Sequence, residues 1–149
     1  MTPNNDPLAA ALSHLPHGAD FRFLDCLLDL VPGKSGVGQY TLRGDEAFLK
    51  GHFPGDPLMP GVLLIEAAAQ LAGVVAQTDP YVPPLLGLKL TALRAVKIFG
   101  SVTPGEVMSI RAQILGRLGP LVQAAAQIHK GTHPLLVAEL TLSGQLRTE

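Results

Sequence analysis

Between positions 62 and 77 the chain is apolar almost all round, broken only by Glu66, Gln70, Gly73 and Gln77. Counted from Glu66 these lie at offsets of 0, 4, 7 and 11, which places them on one stripe of an α-helix. The pattern predicts a buried helix over 62–77 with a single polar line. Pro60 and Gly61 let it start cleanly, and the prolines of 79–84 end it. Elsewhere the period is two. Over 35–42, Val37, Gln39 and Thr41 alternate with Gly36, Gly38, Tyr40 and Leu42, which reads as a strand. A strand of mixed burial is expected over 21–31, and four more over 85–99, 107–118, 121–130 and 135–143. Turn signals at Pro32-Gly33-Lys34, Thr103-Pro104-Gly105, Gly119-Pro120 and Gly131-Thr132-His133-Pro134 separate them.

Minor elements complete the reading. A short helix over 8–15 has Asp6 or Asn5 as its cap and Pro7 early. Residues 1–7 read as a loose, polar terminus, and 44–50 as a loop or single helical turn anchored by Phe48. Strands around one long buried helix make an α+β domain, expected to span 1–149 as one unit. Gly33-Lys34-Ser35 suggests a phosphate loop only superficially, because the glycine that motif requires five residues earlier is Leu28. It reads instead as a hairpin turn.

Composition narrows the function. With 149 residues and 47% apolar content the chain can build a real core. A net charge of −1 argues against a nucleic-acid partner. The single cysteine, Cys26, allows no internal disulfide and reads as a small apolar strand residue. No basic region followed by an apolar run opens the chain, and its longest apolar stretch falls short of the ~20 residues of a membrane span. A cytoplasmic protein without membrane association is expected. His14 and His17, and His129 and His133, have spacings seen in metal sites, but no cysteine or acidic cluster completes either pair, so no metal is expected.

The chemistry concentrates in 51–70. Pro54, Gly55, Pro57, Pro60 and Gly61 lock a loop that runs into the long helix, with His52 at its mouth. Glu66 is a carboxyl in apolar surroundings with no Lys or Arg near it in sequence. Burial of that kind raises a carboxyl pKa and makes a proton donor near neutrality. His52 is a natural partner base. The first N–H groups of the helix, at Gly61 and Val62, can hold an oxyanion or polarised carbonyl. Gln70, one turn beyond Glu66, can orient Glu66 or His52, or simply fill polar space.

The run His52-Phe53-Pro54-Gly55-Asp56-Pro57-Leu58-Met59-Pro60-Gly61-Val62-Leu63-Leu64-Ile65-Glu66, with Gln70 beyond it, resembles the signature of the hotdog-fold 3-hydroxyacyl-[acyl-carrier-protein] dehydratases. It is most similar to the general dehydratase of bacterial fatty-acid synthesis. The resemblance extends more weakly to Leu15-Pro16-His17, Asp25, Pro32-Gly33-Lys34, Glu46, Phe48 and Pro104-Gly105-Glu106. It implies an antiparallel sheet wrapped round the central helix and dehydration of a 3-hydroxyacyl thioester to a trans-2-enoyl thioester without a cofactor. His52 would act as base, Glu66 as acid, and Gly61, Val62, Phe53 and Gln70 would bind substrate. His17 would lie near the acyl tunnel.

The resemblance also implies a site shared between two subunits of a homodimer, with hexamers common. The partner would be an acyl carrier protein or an acyl-coenzyme A thioester. Departures are visible. Asp56 stands where the general dehydratase has arginine, Gly18 replaces a basic residue, and Phe99-Gly100 replaces an arginine pair. Lys50, Arg94 and Lys97, with Arg43, remain as basic candidates for carrier docking. The related dehydratase–isomerase shares Gly-Asp-Pro but carries aspartate at position 66, so simple dehydration ranks first. A hotdog thioesterase and a non-catalytic acyl-binding subunit are the alternatives.

Overall fold

The structure is a computed structural model that describes residues 6–51 and 55–147. Element order is α1 (Pro7–Leu12), a 3-10 turn (Ala19–Phe21), β1 (Cys26–Val31), β2 (Ser35–Thr41), a second 3-10 turn (Ala47–Leu49), α2 (Gly61–Gln77), β3 (Leu86–Ile98), β4 (Val107–Leu118), β5 (Leu121–Lys130) and β6 (His133–Gln145). The strands form one antiparallel sheet in the order β1-β2-β4-β5-β6-β3. It curls round α2. No helix among the described residues is long and apolar enough to cross a membrane.

The period-two pattern decides which face the helix meets. Met108, Ile110 and Ala112 of β4, Val122, Ala124, Ala126 and Ile128 of β5, and Leu136, Ala138, Leu140 and Leu142 of β6 are all buried. Against them lie Leu64, Ala67, Ala68, Leu71, Ala72 and Val75 of α2, also buried. Such a surface is the main source of stability in a domain of this size. In β2 the inward positions are Gly36, Gly38 and Tyr40, two of them without a side chain. A Cβ on Gly36 would sit 2.9 Å from Val75 Cγ2, and one on Gly38 would sit 2.9 Å from Leu24 Cδ2. The absent side chains therefore let α2 and residues 23–24 approach the sheet.

The ends of α2 are held from outside. Met59 N–H donates to Val102 C=O at 2.9 Å just before the helix, and Gly33 N–H donates to Val75 C=O at 2.8 Å near its end. The Thr78 hydroxyl donates to Val74 C=O at 2.9 Å, satisfying a last-turn carbonyl. Val102 belongs to a loop closed by Glu106, which accepts from Thr103 N–H at 2.8 Å and pairs with Lys130 Nζ at 2.9 Å. The Thr103 hydroxyl, Lys130 and the Thr103 N–H hold the Glu106 carboxyl at a pKa of about 2.

Three sequence expectations shift. The first strand begins at Cys26 rather than at 21. Residues 19–21 form a 3-10 turn, and Phe23 N–H donates to Gln70 Oε1 at 2.8 Å instead of entering a ladder. The short helix runs Pro7–Leu12, capped by Asp6, whose Oδ1 accepts from Leu8 N–H at 3.0 Å. Of the terminus expected to be loose, Asp6 and Pro7 therefore belong to this helix, and residues 1–5 lie outside the described residues. The last strand begins at His133, because Lys130 pairs with His133 across a tight turn in which Gly131 has φ 59°.

Candidate active site

Glu66 and Gln70 point from α2 into a cavity of about 760 Å³. Its helical wall is Glu66, Ala69, Gln70, Gly73, Val74 and Gln77, so the polar stripe read from the sequence is the cavity's lining. Leu86, Leu88 and Leu90 of β3 and the segment around His17 complete it. By helical rise the wall runs ~16 Å from Glu66 to Gln77. At the far end Gln77 is fully engaged with the backbone of Leu85. Its Nε2 donates to Leu85 C=O at 2.7 Å, and its Oε1 accepts from Leu85 N–H at 3.0 Å.

Gln70 is 2% exposed, and both ends of its amide are hydrogen-bonded. Oε1 accepts from Phe23 N–H at 2.8 Å, while Nε2 donates to Phe21 C=O at 2.8 Å and to Glu66 Oε1 at 3.2 Å. Because one end of the amide meets a donor and the other meets acceptors, its orientation is unambiguous. Gln70 thus ties residues 21–23 to the helix and gives Glu66 a fixed neighbour. A second neighbour is His17, whose Nε2 lies 3.2 Å from the same Oε1. The Glu66 side chain is 23% exposed. The isolated carboxyl expected from sequence context therefore has two polar partners and some solvent.

Aromatic rings carry this arrangement back to the sheet. The His17 ring stacks on Phe21 at 6.2 Å, Phe21 meets Phe23 edge-on at 4.9 Å, and Phe23 meets Tyr40 and Phe48 at 5.9 and 5.7 Å. The Tyr40 hydroxyl donates to Glu46 Oε2 at 2.8 Å, and Gly44 N–H donates to Glu46 Oε1 at 2.7 Å. Burial and the Glu46 carboxylate push the Tyr40 phenol well above its usual range. For Glu46 burial favours the neutral form, but the Arg43 and Gly44 N–H groups and the Tyr40 hydroxyl outweigh it, and its pKa is lowered. This anchor fixes the segment that leads to Gly51. Phe48 is the apolar anchor that the sequence indicated.

The other candidates are more dispersed. His52 and Phe53 lie outside the described residues. Gly61 opens α2 against β3, where a Cβ would sit 3.1 Å from Ile98 Cδ1. It precedes Glu66 by ~7.5 Å of helix. As the first helical residue its N–H has no acceptor within the helix. Val62 is 71% exposed. Lys50 and Lys97 are exposed. Arg94 pairs with Glu139 at 3.6 Å, and Arg43 with Asp45 at 3.2 Å. The contact between His17 and Glu66 is not foreshadowed by sequence spacing. The only signal was Leu15-Pro16-His17 in the family pattern.

The model of the FabA-like domain family matches residues 15–139. The chain is 40% identical over 106 residues to the 3-hydroxyacyl-[acyl-carrier-protein] dehydratase FabZ of Syntrophotalea carbinolica, covering 68% of this chain and 69% of that protein. To the FabZ of Syntrophobacter fumaroxidans it is 36% identical over 138 residues, covering 91% and 90%. Among solved structures it resembles the dehydratase heterocomplex ApeI:P from Xenorhabdus doucetiae, with TM-score 0.76, 22% identity and coverage of 95% and 93%. A hypothetical thioesterase with coenzyme A from Streptococcus pneumoniae TIGR4 has TM-score 0.61, 11% identity and coverage of 81% and 87%. These two likenesses show the shared fold. With a sheet curled round one long helix, and sequence identity sustained across most of its length, this chain belongs to the hotdog-fold FabA-like family of 3-hydroxyacyl-[acyl-carrier-protein] dehydratases.

Proposed function

We propose that the protein dehydrates a 3-hydroxyacyl thioester to the trans-2-enoyl thioester and water, in fatty-acid or related acyl-chain synthesis. The observation that carries this reading is a carboxyl, Glu66, held at one end of a largely apolar cavity long enough for an acyl chain. Family membership supplies the reaction. His52 removes the α-proton, and the electron pair released forms the Cα–Cβ double bond as the Cβ–O bond breaks. Glu66 gives its proton to the departing hydroxyl, and a water leaves. The Gly61 N–H bonds the thioester oxygen, where negative charge grows during the reaction. Phe53 and Val62 are the further substrate-binding residues that the family resemblance proposes.

The working unit is proposed to be a homodimer in which His52 of one subunit faces Glu66 of the other. The exposed edge of β3 supports this reading. Among the described residues it pairs only with β6, on its inner side, and it carries exposed Leu93 and Ile98, followed by exposed Phe99. An acyl carrier protein is the proposed partner, docking on Lys50 and Lys97 with Arg94 at the margin.

Incubation with a 3-hydroxybutyryl carrier thioester should remove one water, read by mass spectrometry. Release of the free acid would instead indicate a thioesterase, and an unchanged substrate at every chain length a binding subunit. Lys97→Glu should raise KM for the carrier substrate and leave kcat nearly unchanged, because rim charges act mainly on encounter. An equal effect on a pantetheine thioester would remove the docking assignment.

Chain length gives a further test. Gly73 lies midway along the cavity wall, and a Cβ there would meet only Leu88 Cδ2, at 3.9 Å. Gly73→Leu therefore adds bulk to the cavity without a backbone clash. Turnover of long acyl substrates should fall at least about tenfold while the shortest is retained. A uniform loss at all lengths would show that the chain does not run past Gly73.

A further inference from the structure

Glu66 has two carboxyl oxygens, and the structure treats them differently. Oε1 is met by Gln70 Nε2 at 3.2 Å and by His17 Nε2 at 3.2 Å. The Gln70 amide cannot be reversed without facing its oxygen toward Phe21 C=O and its nitrogen toward Phe23 N–H. Oε1 therefore accepts from Gln70 and is not the oxygen that carries a proton. His17 Nε2 lies 3.2 Å from the same oxygen, within ion-pair range. Its Nδ1 is buried with no partner among the described residues.

From this geometry we infer that His17 is a positioning residue for the acid. Together with Gln70 it occupies Glu66 Oε1 and fixes the carboxyl plane, so that Oε2 carries the proton delivered to the leaving hydroxyl. The inference rests on the dehydratase reading above. The location of His17 explains how it can act without touching the reacting atoms. It follows buried Leu15, whose carbonyl accepts from Arg22 Nη2 at 3.4 Å, and Phe21 N–H donates to Gly18 C=O at 3.0 Å. With the ring stacked on Phe21, the imidazole is held from both sides of its own turn. A flip of the carboxyl would have to break the Gln70 hydrogen bond and give up the His17 contact together.

A lining role and a positioning role give different kinetics, because His17 also borders the acyl cavity. His17→Phe keeps an aromatic ring against Phe21 and removes the donor. It should lower kcat at least about tenfold, equally at all acyl lengths, and leave KM within about twofold. His17→Gln places an amide nitrogen near the former Nε2 and should recover most of the loss. Wild-type kcat in His17→Phe would overturn the inference, as would a KM effect that varies with chain length at constant kcat. A His17→Gln variant no better than His17→Phe would overturn it too. Should His17→Phe fail to fold, His17→Asn serves in its place, because its amide stops about one bond short of Glu66. Crystal structures of wild type and variant supply a readout free of turnover. Glu66 should hold one carboxyl orientation in the wild type and lose it without the donor, and an unchanged carboxyl would refute the inference. A wild type that removes no water but shows the carboxyl change would sink the dehydratase reading and leave the positioning contact standing.

Discussion

Glu66→Gln should cut dehydration by about 10²–10⁴-fold, the range expected when a general acid is removed. The substitution is nearly isosteric. Its amide oxygen can still accept from Gln70 and keep His17 as a neighbour, both now at 3.2 Å from Glu66 Oε1, and the amide nitrogen replaces the oxygen that would carry the proton. Thermal stability should therefore change little, which separates lost chemistry from lost fold. His52→Ala should be similarly inactive, and the double variant no worse than either single one, because base and acid serve the same step. If each site takes His52 from one subunit and Glu66 from the other, mixing the two inactive proteins with subunit exchange produces heterodimers with one intact site. Roughly a quarter of the wild-type rate should return at equal mixing. No recovery after demonstrated exchange would place both residues in one chain. Full activity in His52→Ala would discard the proposed base and favour attack by a Glu66-activated water.

What could be read in the sequence, and what could not, follows from how far each interaction reaches along the chain. The central helix was legible because proline and glycine mark its start, apolar residues fill it, and its few polar positions keep one helical phase. That phase also anticipated the cavity wall of Glu66, Gln70, Gly73 and Gln77. Strands β2, β4 and β5 were legible because one face is buried and their period is two. The start of β1 was not, because the backbone of Phe21 and Phe23 is satisfied by the Gln70 side chain, which no local pattern encodes. The same holds for the partners of Glu66. Its neighbours in sequence are apolar, and the groups that touch its Oε1 are Gln70 one turn away and His17 beyond two strands. Isolation in sequence therefore overstated isolation in space. Tyr40 and Glu46 are close in sequence, but their buried bond needs the chain to turn at Arg43 and Gly44, a geometry fixed only once both N–H groups have found the carboxylate.

Leu64→Asp should be the most damaging single change to the fold. Leu64 is fully buried on α2, among Ala67, Ala68 and Leu71 and against the sheet. Truncation alone, as in Leu64→Ala, should cost about 2–5 kcal/mol through lost burial and the cavity left behind. The aspartate adds a carboxylate whose effective desolvation penalty is several kcal/mol per ion. Domains of this kind are typically stable by only about 5–15 kcal/mol, so the variant should be largely unfolded at neutral pH. The introduced carboxyl can escape part of the penalty by taking up a proton. Its pKa in the folded chain would be raised above the unfolded value of about 3.9, so the folded state binds more protons and stability falls as pH rises through that window. The variant should therefore be less unstable relative to wild type near pH 4 than at pH 8, whereas Leu64→Ala should show no such difference. Chemical denaturation of the three proteins at both pH values measures this directly. A Leu64→Asp protein as stable as Leu64→Ala at pH 8 would mean that position 64 is open to solvent and that α2 does not pack on the sheet through this face.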